Sequence, residues 1–163
     1  MRGGRFVLGG LRRSFATGLQ NRTILAETTS VTQPPAARPL VLVLDDEENI
    51  RRAMRAYLER HGYSAVEADT VDRAVDAMRT NAVSAVILDM RLPGAHSGLD
   101  ALNQLRQIPE MATVPVLIVT GSVLSEDEER QITRKRAHVL YKPEGFDTVV
   151  NFLDQLTGRD YSH

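Results

Sequence analysis

The sequence predicts an α/β fold in which helices cover both faces of a parallel sheet. Three observations indicate this fold: short apolar runs rich in β-branched residues, helix-period segments between them, and connections long enough to cross from one strand to the next. Crossovers of this kind are right-handed and pair strands in parallel, which gives a doubly wound, three-layer sandwich. The 163 residues suit one domain with one core.

Five pairs of a strand and a helix follow one another from Leu40 onward. A strand buried on both faces is continuously apolar, and a helix that covers a sheet carries apolar residues three or four positions apart. The predicted strands are 40–44, 64–68, 83–88, 116–119 and 138–141. The predicted helices lie around 50–61, 71–78, 99–105, 126–136 and 146–153, and the fourth is polar on most of its faces.

Residues 1–38 differ from the rest of the chain in charge and pattern. Residues 1–39 hold six arginines and one acid, whereas the remainder holds fourteen basic and twenty acidic residues. The segment lacks an apolar period and contains Pro34-Pro35, so we predict a disordered basic extension or linker, non-native if the start is placed too early. A targeting leader and a nucleic-acid-binding arm are the alternatives. Arg22 interrupts the apolar core that an export signal after Arg12-Arg13 would need.

The composition excludes several classes of protein. The absence of cysteine excludes disulfides, thiolate metal sites, iron–sulfur clusters and a cysteine nucleophile. No apolar run approaches the roughly 18 residues of a membrane span. The acidic balance of residues 40–163 argues against nucleic-acid binding by the folded part. We therefore expect a cytoplasmic protein with no membrane partner and no nucleic acid bound to its core.

Polar residues follow the predicted strands at the edge where an open parallel sheet binds its ligands. Asp45-Asp46 ends the first strand, Asp89 the third, Thr120 the fourth and Lys142 the fifth. Acids after the first strand replace the glycines that a dinucleotide site would need. Oxygen ligands without histidine or cysteine suit Mg²⁺.

Each of these signals also has a purely structural interpretation. Acids at the start of a helix can cap it, and polar residues after a strand are common in loops. Ser125 and Glu128 fit a capping box at the start of the fourth helix, and a partner-docking face is the alternative there. The joint occurrence of the strand-end residues favours a functional site.

Four motifs stand at these strand ends: VLVLDDE at 41–47, VILDMRLPG at 86–94, VTG at 119–121 and YKP at 141–143. Together they resemble the receiver domain of bacterial two-component response regulators. The resemblance covers about residues 40–156 and implies a flavodoxin-like sheet in the order 2-1-3-4-5 with five helices. We accordingly assign residues 39–157 to a receiver domain and residues 158–163 to a short C-terminal tail.

The resemblance implies how a phosphoryl group is bound. Asp89 would be the phosphoacceptor, Thr120 the hydroxyl that moves toward the phosphoryl group, and Lys142 the cation that pairs with it. The peptide between Lys142 and Pro143 is typically cis in this family.

The resemblance also implies a magnesium site. Asp46 would be a direct ligand and Asp45 a ligand acting mainly through water. Asp89 and the backbone carbonyl of Arg91 would complete the share of ligands that the protein supplies. Mg²⁺ is therefore the cofactor that the sequence predicts.

Two features concern how the signal is tuned. Val139 stands three residues before the lysine, where the family often has a rotating aromatic, and Tyr141 is adjacent to Lys142 on the opposite face of the strand. We therefore expect output through the Thr120 loop and the fourth helix. Arg91 and Ser122 flank the expected phosphoryl group and are predicted to tune its hydrolysis.

The leading functional hypothesis is a stand-alone response regulator, because few residues follow the fifth predicted helix. It would receive a phosphoryl group on Asp89 from a sensor histidine kinase or phosphotransfer protein and then change its binding to a downstream protein. A homodimer through the fourth and fifth helices is a further expectation. A phosphorylation-independent interaction module is the alternative; an enzyme is disfavoured, because no histidine follows a strand as a general base.

Overall fold

The structure, a computed structural model, describes residues 37–92, 97–142 and 145–158. Most of the predicted extension, residues 1–38, lies outside the described residues, as does the predicted tail after Gly158. The predicted cis peptide between Lys142 and Pro143 also falls outside them. The boundaries assigned to these segments stay predictions.

The described part forms a five-stranded parallel sheet with five α-helices, as predicted. The strand order is β2-β1-β3-β4-β5, so β1 and β3 lie side by side near the middle of the sheet. The strands are β1 (Leu40–Leu44), β2 (Ser64–Ala68), β3 (Val83–Asp89), β4 (Val116–Thr120) and β5 (Ala137–Tyr141). The helices are α1 (Glu48–Arg60), α2 (Val71–Thr80), α3 (Gly98–Leu105), α4 (Glu126–Arg134) and α5 (Phe146–Thr157).

The sheet separates two apolar cores because successive side chains of a strand point to opposite faces. In β1, Val41 and Val43 pack on one face with residues of α1 and α5. Leu42 and Leu44 pack on the other face with residues of α2, α3 and α4. The first four residues after Leu40 are at most 1% exposed, which explains why β1 is apolar at every position.

Local sequence sets the starts of three helices. Thr70 accepts a hydrogen bond from the amide of Arg73 at the start of α2. Ser97 forms a capping box with Asp100 at the start of α3, and the predicted box at the start of α4 is present. These caps satisfy amide groups that the first turn leaves without intrahelical partners.

The predicted end of the fourth helix was wrong by two residues, because α4 ends at Arg134 and not at Arg136. Arg136 adopts a left-handed conformation with φ of 54°, which ends the helix and turns the chain into β5 one residue earlier than predicted. The guanidinium of Arg106, the residue after α3, stabilises this turn, since it donates to the carbonyls of Lys135 and Arg136 at 2.8 and 3.1 Å.

Strands β3 and β4 each continue one residue further than predicted. Asp89 pairs with Val119 in the ladder between β3 and β4, and Thr120 pairs with Tyr141 in the ladder between β4 and β5. A 3-10 helix at Pro109–Met111 was not predicted. Within the described ranges, every helix is too short or too polar to cross a bilayer.

Candidate functional site

Three carboxylates meet at the carboxyl edge of the sheet. Leu44 of β1 and Leu88 of β3 are paired, so Asp45 and Asp89 leave neighbouring strands at the same level. Asp45, Asp46 and Asp89 each offer a carboxylate oxygen within 4.8 Å of the others. Asp45 and Asp89 are buried, and Asp46 is exposed. The structure therefore brings together the three acids that the sequence analysis assigned to metal binding.

One buried oxygen of Asp89 has no hydrogen bond among the described residues. Asp89 is 5% exposed, and its Oδ1 has no hydrogen-bond partner. The ammonium of Lys142 lies 3.7 Å from this oxygen, a distance beyond an ordinary hydrogen bond. Burying a carboxylate oxygen without a partner costs free energy, and such an oxygen is a good ligand for a hard divalent cation. The residues present therefore fit Mg²⁺.

Strand pairing brings Lys142 to the acids. The backbone amide of Lys142 donates to the carbonyl of Thr120 at 2.7 Å, which extends the ladder between β4 and β5 by one step. The position shares strand parity with Leu140, which packs on the same face as α1 and α5. The side chain of Lys142 is 36% exposed, so the ammonium stands between the site and solvent.

Thr120 is buried in the same edge, but its hydroxyl is engaged elsewhere. Its Oγ1 accepts a hydrogen bond from the amide of Ser122 at 3.0 Å, and the residue is 0% exposed. Thr120 shares strand parity with Ile118, which packs in the core on the α4 side. Among the described residues, no hydrogen bond joins Thr120 to Asp89. The role assigned to Thr120 uses its O–H as a donor, and the hydrogen bond that it accepts from Ser122 leaves this O–H free to donate.

Burial and like charge act together on Asp45. Burial is the largest influence and raises the pKa of its carboxyl, and repulsion from Asp89 and Asp46 raises this pKa further. A hydrogen bond from the amide of Glu47 at 2.8 Å and the charge of Lys142 oppose the rise in the pKa. The acids thus repel one another in a poorly solvated place, and a cation among them would relieve the repulsion.

A largely apolar cavity adjoins the site. It lies on the α1 and α5 side of the sheet, and its volume is about 330 Å³. Asp45, Asp89 and Lys142 contribute to its wall together with apolar residues, among them Met54 and Phe146. The apolar part of this wall offers the carboxylates few polar partners on this side of the sheet.

The sequence analysis missed two residues that shape the site, and both act through the backbone. Arg51 of α1 donates to the carbonyls of Asp45 and Asp46 at 2.8 and 2.9 Å. Gly98 opens α3, and its amide donates to the carbonyl of Met90 at 3.0 Å. The only signal for Arg51 is its position one helical turn after the acids; Gly98 gave no signal before the packing was known.

The residues assigned to tuning are placed in part. The guanidinium Nη2 of Arg91 lies 3.0 Å from where a Cβ on Gly121 would stand, so this side chain covers the loop after β4. Val139 is partly buried on the α4 side. Tyr141 is 39% exposed, and its hydroxyl donates to Glu129 of α4 at 2.8 Å. The carbonyl of Arg91 as a metal ligand stays a prediction.

A family model described as the response regulator receiver domain matches residues 41–154. The chain belongs to this family. A receiver protein from Pseudomonas putida has a similar structure, with 29% identity and a TM-score of 0.67 over 74% of this chain and 98% of that one. The chemotaxis protein CheY4 of Vibrio cholerae is 22% identical with a TM-score of 0.67, over 74% of this chain and 99% of that one; this likeness shows the fold alone.

Curated relatives of the receiver include longer transcriptional regulators. KdpE of Mycobacterium tuberculosis is 36% identical over 108 residues, which are 66% of this chain and 46% of that protein. ResD of Bacillus subtilis is 36% identical over 81 residues, which are 50% of this chain and 32% of that protein. The match thus spans less than half the length of these relatives.

Membership of the family carries general properties. Receiver domains are regulatory domains and not enzymes in the usual sense; they bind Mg²⁺ at an acidic pocket, and they interact with histidine kinases or phosphotransfer proteins and with downstream targets. The acidic cluster described above occupies the corresponding edge of this sheet.

Proposed function

We propose that Asp89 accepts a phosphoryl group from a phosphohistidine of a sensor kinase or phosphotransfer protein. The observation that carries this proposal is the buried Oδ1 of Asp89, which has no hydrogen-bond partner in the described part of the chain and lies 3.7 Å from Lys142. An unpaired carboxylate oxygen beside a cation is what a nucleophile for phosphoryl transfer requires.

The residues around Asp89 have separate roles in the phosphoryl transfer. One carboxylate oxygen of Asp89 bonds to phosphorus as the bond from phosphorus to the histidine nitrogen breaks, and the other oxygen stays available to the cation. Lys142 neutralises one of the phosphoryl oxygens. Asp45, Asp46, Asp89 and the carbonyl of Arg91 would hold Mg²⁺, which supplies charge neutralisation and orientation of the phosphoryl oxygens.

Thr120 would couple the phosphoryl group to α4. Phosphorylation adds charge and strong acceptor oxygens beside the end of β4. The Thr120 hydroxyl gains an acceptor there, and turning toward it breaks the hydrogen bond from Ser122. Because α4 begins only a few residues later, at Glu126, a change in this loop alters the surface around α4. The expected result is a change in affinity for a downstream protein.

Two further expectations belong to this proposal. The receiver is expected to act in the cytoplasm and to form a homodimer through α4 and α5. Mass photometry or sedimentation of the phosphorylated and unmodified protein tests the dimer.

Intact-protein mass spectrometry tests the phosphoacceptor directly. The protein is incubated with Mg²⁺ and acetyl phosphate, beside a sample without metal. We expect a single phosphoryl adduct in the wild type with metal, and none in Asp89→Asn. Asp72→Asn is the matched control, because Asp72 is an exposed acid on α2 and its loss should leave the adduct unchanged. A phosphohistidine donor serves as the second donor.

The outcomes separate the two candidate functions. An adduct that persists in Asp89→Asn would remove the assignment of Asp89. A folded wild type that takes no adduct from either donor would favour the alternative, a receiver-like module that binds partners without phosphorylation.

A further inference from the structure

Backbone contacts fix the loop that carries Asp45 and Asp46. The amide of Asp45 donates to the carbonyl of Ala68 at 3.2 Å, which ties the loop to the end of β2. The amide of Glu47 donates to Oδ1 of Asp45 at 2.8 Å. These contacts hold Asp45 itself, but neither of them holds the peptide that joins Asp45 to Asp46.

Arg51 holds that peptide from the other side. Its Nη1 donates to two consecutive carbonyls, those of Asp45 at 2.8 Å and of Asp46 at 2.9 Å. The side chain is only 11% exposed, and its Nε lies 3.6 Å from Oε2 of Glu67 on β2. The guanidinium is therefore bound at one end by the loop and at the other by a carboxylate of the sheet.

The neighbouring arginine provides a contrast within the same helix. Arg52 pairs with Glu48 at 2.6 Å, and its side chain is 70% exposed. This is an ordinary surface pair between residues four positions apart, of a kind that contributes little. Arg51 and Arg52 thus carry the same charge on the same turn of α1, but Arg51 donates to the loop whereas Arg52 pairs with Glu48.

We propose that Arg51 is a positioning residue for divalent-cation binding. This role rests on the proposed function, because the cation is the one that Asp45, Asp46 and Asp89 would bind. Three carboxylates within 4.8 Å repel one another, so an untethered loop would relax by turning Asp46 away from Asp89. By fixing the carbonyls of Asp45 and Asp46, Arg51 keeps the carboxylates of these two residues directed at the cation site before a cation binds.

The direction in which loss of Arg51 changes the affinity for Mg²⁺ distinguishes a positioning role from a purely electrostatic one. A positive charge near a cation site weakens cation binding, so removing it should tighten the binding of Mg²⁺. Loss of a positioning contact has the opposite effect, because the acids must then be ordered at the moment of binding.

The measurement is the Mg²⁺ dissociation constant, obtained from amide shifts of the β1 to α1 loop without any phosphodonor. In Arg51→Met we expect affinity to fall by roughly tenfold, at the low end of the effect of losing a contact that orients metal ligands. In Arg52→Met, the matched control, we expect the dissociation constant to stay within about twofold of the wild-type value. The double variant Arg51→Met, Glu67→Gln leaves the net charge unchanged, and it should bind as weakly as Arg51→Met.

Several outcomes would overturn the role of Arg51. One is an Mg²⁺ affinity of Arg51→Met that is equal to or higher than that of Arg52→Met. Another is recovery of the wild-type Mg²⁺ affinity in the double variant. If Arg51→Met does not fold, Arg51→Gln replaces it, since this shorter side chain lacks both the charge and the reach to the two carbonyls; wild-type affinity there would also overturn the role. A wild type that binds no Mg²⁺ would instead remove the metal site of the proposed function, and this inference with it.

Discussion

Gly98 shows how closely the packing approaches the phosphoacceptor. A Cβ at this position would lie 2.8 Å from the carbonyl oxygen of Asp89 and 2.6 Å from the Cα of Met90. Both of these are backbone atoms at the end of β3, so they cannot move aside without shifting Asp89. The backbone of Asp89 and Met90, and not the geometry of α3, therefore requires glycine at position 98.

Gly98→Ala should lower the free energy of unfolding by about 1 to 3 kcal/mol, the range for overpacking a tight core. It should also slow phosphorylation of Asp89 by acetyl phosphate, because the overlap falls on the backbone of that residue. Urea unfolding and the rate of adduct formation measure the two effects.

Gly145→Ala is the matched control for this prediction. Gly145 has φ of −72° at the start of α5, and the nearest atom to its Cβ would be 4.0 Å away. Equal effects of the two substitutions on stability would contradict the packing argument.

Residues at the site were predictable to the extent that their signal is local. Asp45, Asp89 and Lys142 follow strands that the apolar pattern marks, and parallel pairing brings strand ends together. Arg51 and Gly98 were missed for a different reason. Their roles consist of contacts with backbone atoms of another segment, and a sequence does not state which backbone a side chain reaches.

At the scale of elements, α4 is stabilised at both ends by different means. Ser125 and Glu128 form the capping box at its start, with contacts of 2.7 and 2.8 Å to the carboxylate of Glu128. Arg106 holds the carbonyls that follow its end. The start was predictable because the box lies within four residues, whereas the end depends on an arginine 29 residues away from Lys135.

Ser125→Ala should raise the pKa of Glu128. Hydrogen bonds from the amide and then the hydroxyl of Ser125 lower this pKa from its ordinary value of 4.5, and the substitution removes the hydroxyl. Because the folded-state pKa is depressed, the stabilisation is present above the unfolded pKa and is lost as the pH falls through the folded one.

The measurement for this prediction is carboxyl NMR during an acid titration, together with thermal unfolding at several pH values. The difference in unfolding temperature between Ser125→Ala and the wild type should be largest near neutral pH and shrink at acidic pH. An unchanged pKa of Glu128 in the variant would contradict the role of the hydroxyl.

For the molecule as a whole, the two edges of the sheet have different tasks. The carboxyl edge carries mutually repelling acids, whereas a partly buried hydrogen bond lies at the opposite edge, where the strands begin. There Tyr63, which is 0% exposed and precedes β2, donates from its hydroxyl to Oδ1 of Asp154 on α5 at 2.6 Å. The contact joins segments 91 positions apart in the chain.

Tyr63→Phe should lower the free energy of unfolding by about 1.5 to 3 kcal/mol, the range for a hydrogen bond to a charged group. It should leave the dissociation constant for Mg²⁺ unchanged, because the contact lies at the opposite edge of the sheet. Chemical unfolding and amide shifts measure the two quantities. A weakened metal site in this variant would show that the edges are coupled.

The overall fold was predictable because its signal extends over most of the chain. Five apolar runs with crossovers between them leave few alternatives, and right-handed connection reduces these further. The details that escaped prediction, such as the 3-10 helix at Pro109–Met111, are short and are selected by tertiary contacts.

The alternation of β1 between two cores also limits how this gene can change in length. Inserting one codon directly after Leu40, with the preceding chain held in place, would exchange the faces of Val41 to Leu44 and turn Asp45 away from Asp89. A single insertion would thus damage packing and chemistry together. An added residue in a connection after a helix does not exchange the faces of a strand in this way, so length variants of this chain should be more frequent there than in β1.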